Sequence, residues 1–475
     1  MQLFGVILKQ EDVTSRKKVE ICSPFDQRPV GVVAFGDQST VETAITLASE
    51  MAPSFATEPL HQRISWLRAI SDGIKEHAVE LAQIISNEAG KPIRLAEAEV
   101  QRAIGTFLIA AEEAGRVTGE LLPLDARPDG EGRHGLLRRY PIGPISAITP
   151  FNFPLNLVSH KVAAAIAAGN PVVLKPASQT PMSAIMLGRI ALEAGLPPGV
   201  LTVVPCSAED AGALVTDPRM KMLTFTGSAG VGWALKAKAG RKKVTLELGG
   251  NAAAIVEPDC DLLDAARKLA LGAFVYAGQV CISVQRIYVH ERAATRFYKA
   301  FIDVTSNAIR CGNPADSNVI CGPIIDSSNA DRILEWIDQA TTGGAKLLVK
   351  PKRDGNVITP AVLSKVPTEL PIVAREAFGP VVIIETYRGM NRAVNLVNQT
   401  DYGLQAAIFT NSLPKVMQAF AQLEVGAIIH NDYPTYRTDP MPYGGVKESG
   451  TGREGPRYAI EEMTEPRLLV LNPDI

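Results

Sequence analysis

Between residues 140 and 250, five short, continuous apolar runs recur, at 145–149, 172–174, 201–204, 222–225 and 244–248, with helical stretches between them. Runs of this kind, apolar on both faces, are what parallel strands look like when helices cover both sides of their sheet. Parallel neighbours need crossover connections, so the segment is expected to form a doubly wound α/β sheet. One intervening helix is punctuated, with Thr180 as its N-cap, Pro181 in its first turn, and Gly195, Pro197 and Pro198 beyond its end. Residues 41–114 read as mostly helical and are expected to pack on the same sheet.

A second series of apolar runs follows Gly250, at 253–256, 287–290, 381–385, 406–409 and 427–430, and predicts a second α/β unit. Length demands the same, since 475 residues exceed one ordinary core. An apolar fraction of 46% and a formal net charge of -2 suit a globular enzyme without an electrostatic footprint for nucleic acid or anionic membrane. No run reaches the roughly 18–20 apolar residues of a membrane span. The best candidate, 162–174, is broken by Gly169, Asn170 and Pro171. Residues 3–8 lack a basic lead-in and a small-residue cleavage site, so they read as strand rather than signal peptide. Cys22, Cys206, Cys260, Cys281, Cys311 and Cys321 form no CxxC pair. Neither a disulfide framework nor a metal site is expected, and a reducing cytoplasm is.

Cys281 stands in a loop of small residues, Ala277-Gly278-Gln279-Val280-Cys281-Ile282-Ser283. A lone cysteine is most often a small buried hydrophobe. Its context argues otherwise. Upstream, Leu246-Glu247-Leu248-Gly249-Gly250-Asn251 ends an apolar run with a carboxylate. A thiol nucleophile and a carboxylate base on neighbouring elements are the parts that acyl-enzyme chemistry requires. The apolar flanks of Glu247 tend to raise its pKa toward useful base strength. Asn152, in Thr149-Pro150-Phe151-Asn152-Phe153-Pro154, offers an amide for a developing oxyanion. Gly227 and Ser228, in Phe225-Thr226-Gly227-Ser228-Ala229-Gly230-Val231-Gly232, follow a run and open a helix, where backbone N–H groups could meet a pyrophosphate. The spacing is GxxGxG rather than GxGxxG, and alone it is as readily a simple turn.

In this order, and with Met441-Pro442-Tyr443-Gly444-Gly445-Val446-Lys447 near the end, these motifs resemble the aldehyde dehydrogenase superfamily over essentially the whole chain. The resemblance implies two doubly wound α/β domains plus a small β oligomerisation module. Residues 1–118 and 141–248 would bind dinucleotide, 249–450 would form the catalytic domain, and 119–140 with 451–475 would form the module of a homodimer or homotetramer. The Gly/Asp/Pro-rich tip at 128–132 suits a hairpin turn. It further implies oxidation of an aldehyde with NAD or NADP. Cys281 would attack the carbonyl, with the Asn152 amide and the Cys281 N–H holding the oxyanion. Hydride would leave for the nicotinamide, and water activated by Glu247 would hydrolyse the thioester. Cofactor contacts are implied for Phe151, Lys175, Ser178, Gly227, Ser228, Glu376 and Phe378. Many NAD-preferring members carry glutamate where this chain has Ser178, so both cofactors stay open.

For the substrate, the resemblance puts Asn156 and His160 on one face of a tunnel helix, four residues apart. Arg102 and Arg437 are the candidate anion contacts. Together they imply a short aldehyde with a hydroxyl or anionic tail. The branch most resembled contains lactaldehyde and non-phosphorylating glyceraldehyde-3-phosphate dehydrogenases. Val280 stands where members specific for the phosphorylated substrate commonly have arginine, which counts against that substrate. Two alternatives compete. A coenzyme A-acylating semialdehyde dehydrogenase is opposed by Glu247, which acylating branches generally lack. A non-catalytic dinucleotide-binding relative is opposed by the intact Cys281, Glu247 and Asn152.

Overall fold

The computed structural model describes residues 2–13, 17–117 and 119–472. The first series of apolar runs becomes five parallel strands, Ile145–Ile148, Val172–Lys175, Leu201–Val203, Met222–Thr226 and Lys243–Glu247. Across the sheet they lie in the order third, second, first, fourth, fifth. Winding therefore reverses between Ile145–Ile148 and Met222–Thr226, where the loops beyond the strand ends diverge and leave a crevice. Val6–Ile7 and Glu11–Asp12 extend one edge of this sheet, and Gly450–Thr451 extends the other, all antiparallel. Helices Leu60–Glu76, Ile93–Glu113, Asn156–Ala168 and Met182–Glu193 pack into the core beside it.

Thr180 does not cap the helix it was expected to start. The helix runs Met182–Glu193 behind Pro181, and the Thr180 hydroxyl donates to the Phe151 carbonyl at 3.4 Å. Its first N–H groups are met from elsewhere in the chain: buried Glu88 accepts from Met182 at 2.7 Å and Ser183 at 3.0 Å. Buried Glu99 does the same for Asn156–Ala168, accepting from Leu155 at 2.9 Å and Asn156 at 3.0 Å. A carboxylate at a helix start satisfies free donors and opposes the helix dipole.

The second series supplies a seven-stranded sheet in the order Lys346–Val349, Ala361–Ser364, Val381–Tyr387, Val284–His290, Ala252–Val256, Gln405–Phe409, Ala427–His430. All pairs are parallel except the first. Gly249-Gly250 carries the chain from the C-terminal end of Lys243–Glu247 straight to the N-terminal end of Ala252–Val256. A side chain would be crowded there. A Cβ on Gly249 would lie 2.2 Å from Glu376 Oε2, and one on Gly250 would lie 2.3 Å from the Cys281 carbonyl oxygen.

A third, antiparallel sheet joins Thr464–Leu471, His134–Pro141 and Glu120–Pro123. The turn between its last two strands includes the one-turn helix Pro128–Gly130, with Gly132 at φ 73°. Of the segment 451–475 expected beside it, Thr464–Leu471 pairs here, while helix Pro456–Glu462 packs against Asn156–Ala168 and 473–475 lie outside the described residues. Among the described residues no helix is long and apolar enough to cross a membrane, and no cluster of metal-ligating side chains occurs.

Candidate active site

The loop to Cys281 is held by its own buried polar groups. Tyr276 and Ala277 adopt left-handed φ values of 52° and 54°. Such conformations persist only where surroundings over-determine them. Here Tyr276 donates from its N–H to the Ile320 carbonyl at 2.8 Å and from its hydroxyl to that of Ala89 at 3.0 Å. Gln279 bridges outward, donating to the Pro323 carbonyl at 3.1 Å and accepting from the Ile325 N–H at 2.9 Å. The Asn152 amide donates to the Gln279 carbonyl at 3.0 Å, so it sits against the backbone leading to Cys281.

Cys281 Sγ lies 2.9 Å from the Tyr443 hydroxyl. Burial pushes the thiol up to about 11, opposed by the Tyr443 hydrogen bond and the charge of Arg437. Glu247, at the end of its strand, is buried, and neither carboxyl oxygen has a partner among the described residues. Burial and the nearby Glu454 carboxylate drive its pKa well above the usual carboxylate range. Both shifts favour the neutral forms, a thiol and a carboxylic acid.

Behind this pair lies a charged network. The Arg437 guanidinium lies over the Tyr443 ring at 3.6 Å, with Nη2 3.3 Å from Glu454 and 3.2 Å from His160 Nε2. Lys161 Nζ reaches Glu454 at 2.7 Å. Burial would raise Glu454, but the charges of Lys161 and Arg437 hold it at about 2.

One cavity, of about 260 Å³, lies at the winding reversal and reaches Cys281 past Phe151, Asn152, Gly227, Ser228, Glu247, Glu376 and Phe378. Ser228, on the cavity wall, precedes helix Ala229–Lys238 without a side-chain cap. Phe151 and Phe378 meet edge to face at 5.8 Å, Phe378 with φ 48°. Glu376 is half-buried, accepts from the Gly250 N–H at 3.1 Å, and is raised by burial to about 7. Lys175 and Ser178 do not line this cavity. They lie at the end of the neighbouring strand, Lys175 Nζ donating to the Pro176 carbonyl at 3.2 Å and exposed Ser178 to that of Cys206 at 3.3 Å.

A second cavity, of about 160 Å³, reaches Cys281 past Lys91, Arg102, Phe153, Asn156, Arg437 and Tyr443. His160, expected there, does not line it. One helical turn deeper than Asn156, it is buried between Arg437 and Asp439, the latter 3.4 Å away, because its helix is enclosed on every side. Arg102 Nη2 pairs with Asp439 at 3.1 Å. Sequence reasoning gave no role to Tyr443, Asp439, Glu454, Lys91 or Arg332, which lines the first cavity. Tyr443 stood in a quoted motif; the rest carry no local signal.

The model of the aldehyde dehydrogenase family matches residues 11–469. Over 470 residues the chain is 42% identical to 3-sulfolactaldehyde dehydrogenase of Priestia aryabhattai, covering 99% of this chain and 98% of that one. The structure is similar to aldehyde dehydrogenase 21 of Physcomitrella patens in complex with the reaction product succinate, with TM-score 0.97, 41% identity, and 100% and 99% of the two chains covered. It is also similar to glyceraldehyde-3-phosphate dehydrogenase of Methanocaldococcus jannaschii complexed with NADP, with TM-score 0.92, 36% identity, and 96% and 100% covered.

Proposed function

Because the chain belongs to the aldehyde dehydrogenase family, and is thereby an NAD(P)-dependent oxidoreductase, we propose that it oxidises a short aldehyde with an anionic tail to the carboxylate. One observation carries this reading: the guanidinium groups of Arg102 and Arg437 line the same cavity as Cys281. Their carboxylate partners leave further N–H groups unused, since a guanidinium has five donors. Arg437 Nε is buried without an acceptor among the described residues. The relatives' names point the same way, to a sulfonate, a carboxylate and a phosphate.

The 260 Å³ cavity suits a dinucleotide: an uncapped helix start beside Ser228 for phosphate, the half-buried Glu376 carboxylate for a ribose, and aromatic edges for a flat ring. When bound, NAD or NADP would supply the hydride acceptor. Exposed Ser178 brings no carboxylate to repel a 2′-phosphate, so both cofactors remain compatible. Cys281 sulfur forms the bond to the carbonyl carbon. The Asn152 amide and the Cys281 N–H stabilise the oxyanion, typically by about 3–4 kcal/mol for one such donor. Loss of hydride leaves a thioester on sulfur. Glu247, its oxygens unpaired and its pKa raised, takes a proton from the hydrolytic water.

The experiment is NAD(P)H formation across 3-sulfolactaldehyde, succinic semialdehyde, lactaldehyde, propanal and benzaldehyde, with the free acid identified as product. Arg102→Leu should lower kcat/KM roughly ten- to a hundredfold on the anionic aldehydes and little on propanal, as expected for one charge-assisted hydrogen bond. Preference for benzaldehyde would overturn the reading of the pocket. Strict dependence on coenzyme A would overturn hydrolysis.

A further inference from the structure

Cys311 and Cys321 play no part in the chemistry above, yet they face each other directly. They form an isolated parallel bridge, in which the Cys321 N–H donates to the Arg310 carbonyl at 3.1 Å and the Gly312 N–H to the Cys321 carbonyl at 3.2 Å. Paired backbones lie about 4.8 Å apart, inside the roughly 4.4–6.8 Å Cα separation that a disulfide accepts. Cys311 is half-buried and reachable from solvent, whereas Cys321 is buried in an apolar cluster with Ala277 and Ile358. The Cys321 thiol donates to the Ile358 carbonyl at 3.7 Å, and its interaction with the neighbouring sulfur holds Cys311 below the usual thiol range and, with burial, Cys321 well above it. An accessible, acidified cysteine beside a protonated, buried partner has the arrangement of a redox-sensing pair.

We propose that Cys311 and Cys321 form a peroxide-oxidisable dithiol site that closes to a disulfide and stiffens the anchor of the Cys281 loop. The Cys311 thiolate takes one oxygen of hydrogen peroxide; the O–O bond breaks and the other oxygen leaves as water. The Cys321 sulfur then attacks the sulfenic acid, the S–S bond forms, and a second water carries off the remaining oxygen. Two thiols are oxidised and one peroxide is reduced to two waters. The segment that would be stapled is the one the catalytic loop leans on. Ile320, next to Cys321, accepts from the Tyr276 N–H at 2.8 Å, and Pro323 and Ile325 hold Gln279 at 3.1 Å and 2.9 Å. On its other side, Pro314 accepts from the Ile93 N–H at 2.8 Å, beside the pocket residue Lys91.

The test uses the full chain carrying Cys281→Ser, so that oxidation of the nucleophile cannot contribute. After hydrogen peroxide, non-reducing peptide mapping should find Cys311 and Cys321 joined, the linked pair lighter by two hydrogens and restored by dithiothreitol. Amide hydrogen exchange at Tyr276 should then slow severalfold, and adding Cys311→Ser should abolish both effects. Recovery of Cys311 as a free thiol, as a sulfinate or joined to another cysteine would overturn the site. A Cys311–Cys321 link with unchanged exchange at Tyr276 would overturn its coupling to the loop.

Discussion

Cys281 and Glu247 share a cavity that raises both pKa values, so the active form of each is the harder one to reach. Both active forms are anions, and both pKa values are raised. Turnover should therefore climb as pH rises above neutrality, and a rate that falls with rising pH would contradict these assignments. Tyr443 is the group nearest the sulfur that lowers the thiol pKa. Tyr443→Phe should shift iodoacetamide alkylation of Cys281 to higher pH, slowing it at neutral pH; an unchanged profile would mean the hydroxyl does not donate to sulfur. Glu247→Gln should retain a pre-steady-state burst of NAD(P)H but turn over slowly, because acylation needs the thiolate and hydrolysis needs the base. Equal loss of both phases would show that Glu247 also activates the thiol. Cys281, Glu247 and Asn152 could be singled out because each has a local chemical context, and the structure brings all three to one cavity. His160 was misplaced because four-residue spacing fixes a helix face and not the depth along it.

At the scale of elements, the starts of Asn156–Ala168 and Met182–Glu193 are met by distant carboxylates rather than by adjacent capping residues. Glu99 accepts from the first N–H groups of Asn156–Ala168 and also holds Lys91 at 2.5 Å. Glu99→Ala would strand a buried lysine as well as uncap the helix. Breaking a buried pair costs about 3–5 kcal/mol, which urea unfolding should register as a lower midpoint. A loss below about 1 kcal/mol would imply that Lys91 deprotonates freely or finds another partner. Most strands of the two large sheets were readable because continuous burial writes itself as continuous apolar sequence. Lys346–Val349 and Ala361–Ser364 were missed. Lys346–Val349 is an edge strand with no fully buried residue, so its pattern is diluted.

At the scale of the molecule, two features tie distant chain segments together. Glu454, near the C-terminus, is buried against Lys161 and Arg437 and so fastens the segment after Gly450 to the first sheet. Its pKa falls from 4.5 to about 2, so its stabilisation is present above the unfolded value and is lost as pH drops toward 2. Glu454→Gln should weaken that acid dependence in thermal melts; identical acid profiles would dissociate the carboxylate from the clamp. The edge strand Thr464–Leu471 exposes Leu468, Leu469, Val470 and Leu471, with Leu469 52% accessible. An exposed apolar edge is a template for another chain. Sedimentation should find an oligomer, and Leu469→Asp should shift it toward monomer; a monomeric native chain would refute this surface as an interface. The sequence by itself determined the two α/β cores and singled out Cys281, Glu247 and Asn152 as candidates, because strand burial and reactive loops leave local marks. Only the tertiary structure decided that Tyr443 meets the thiol, that Glu454 and Arg437 set the field around Glu247, and that Asp439 holds Arg102. Those partners lie far apart along the chain, and charges couple through space, where spacing in sequence carries no information.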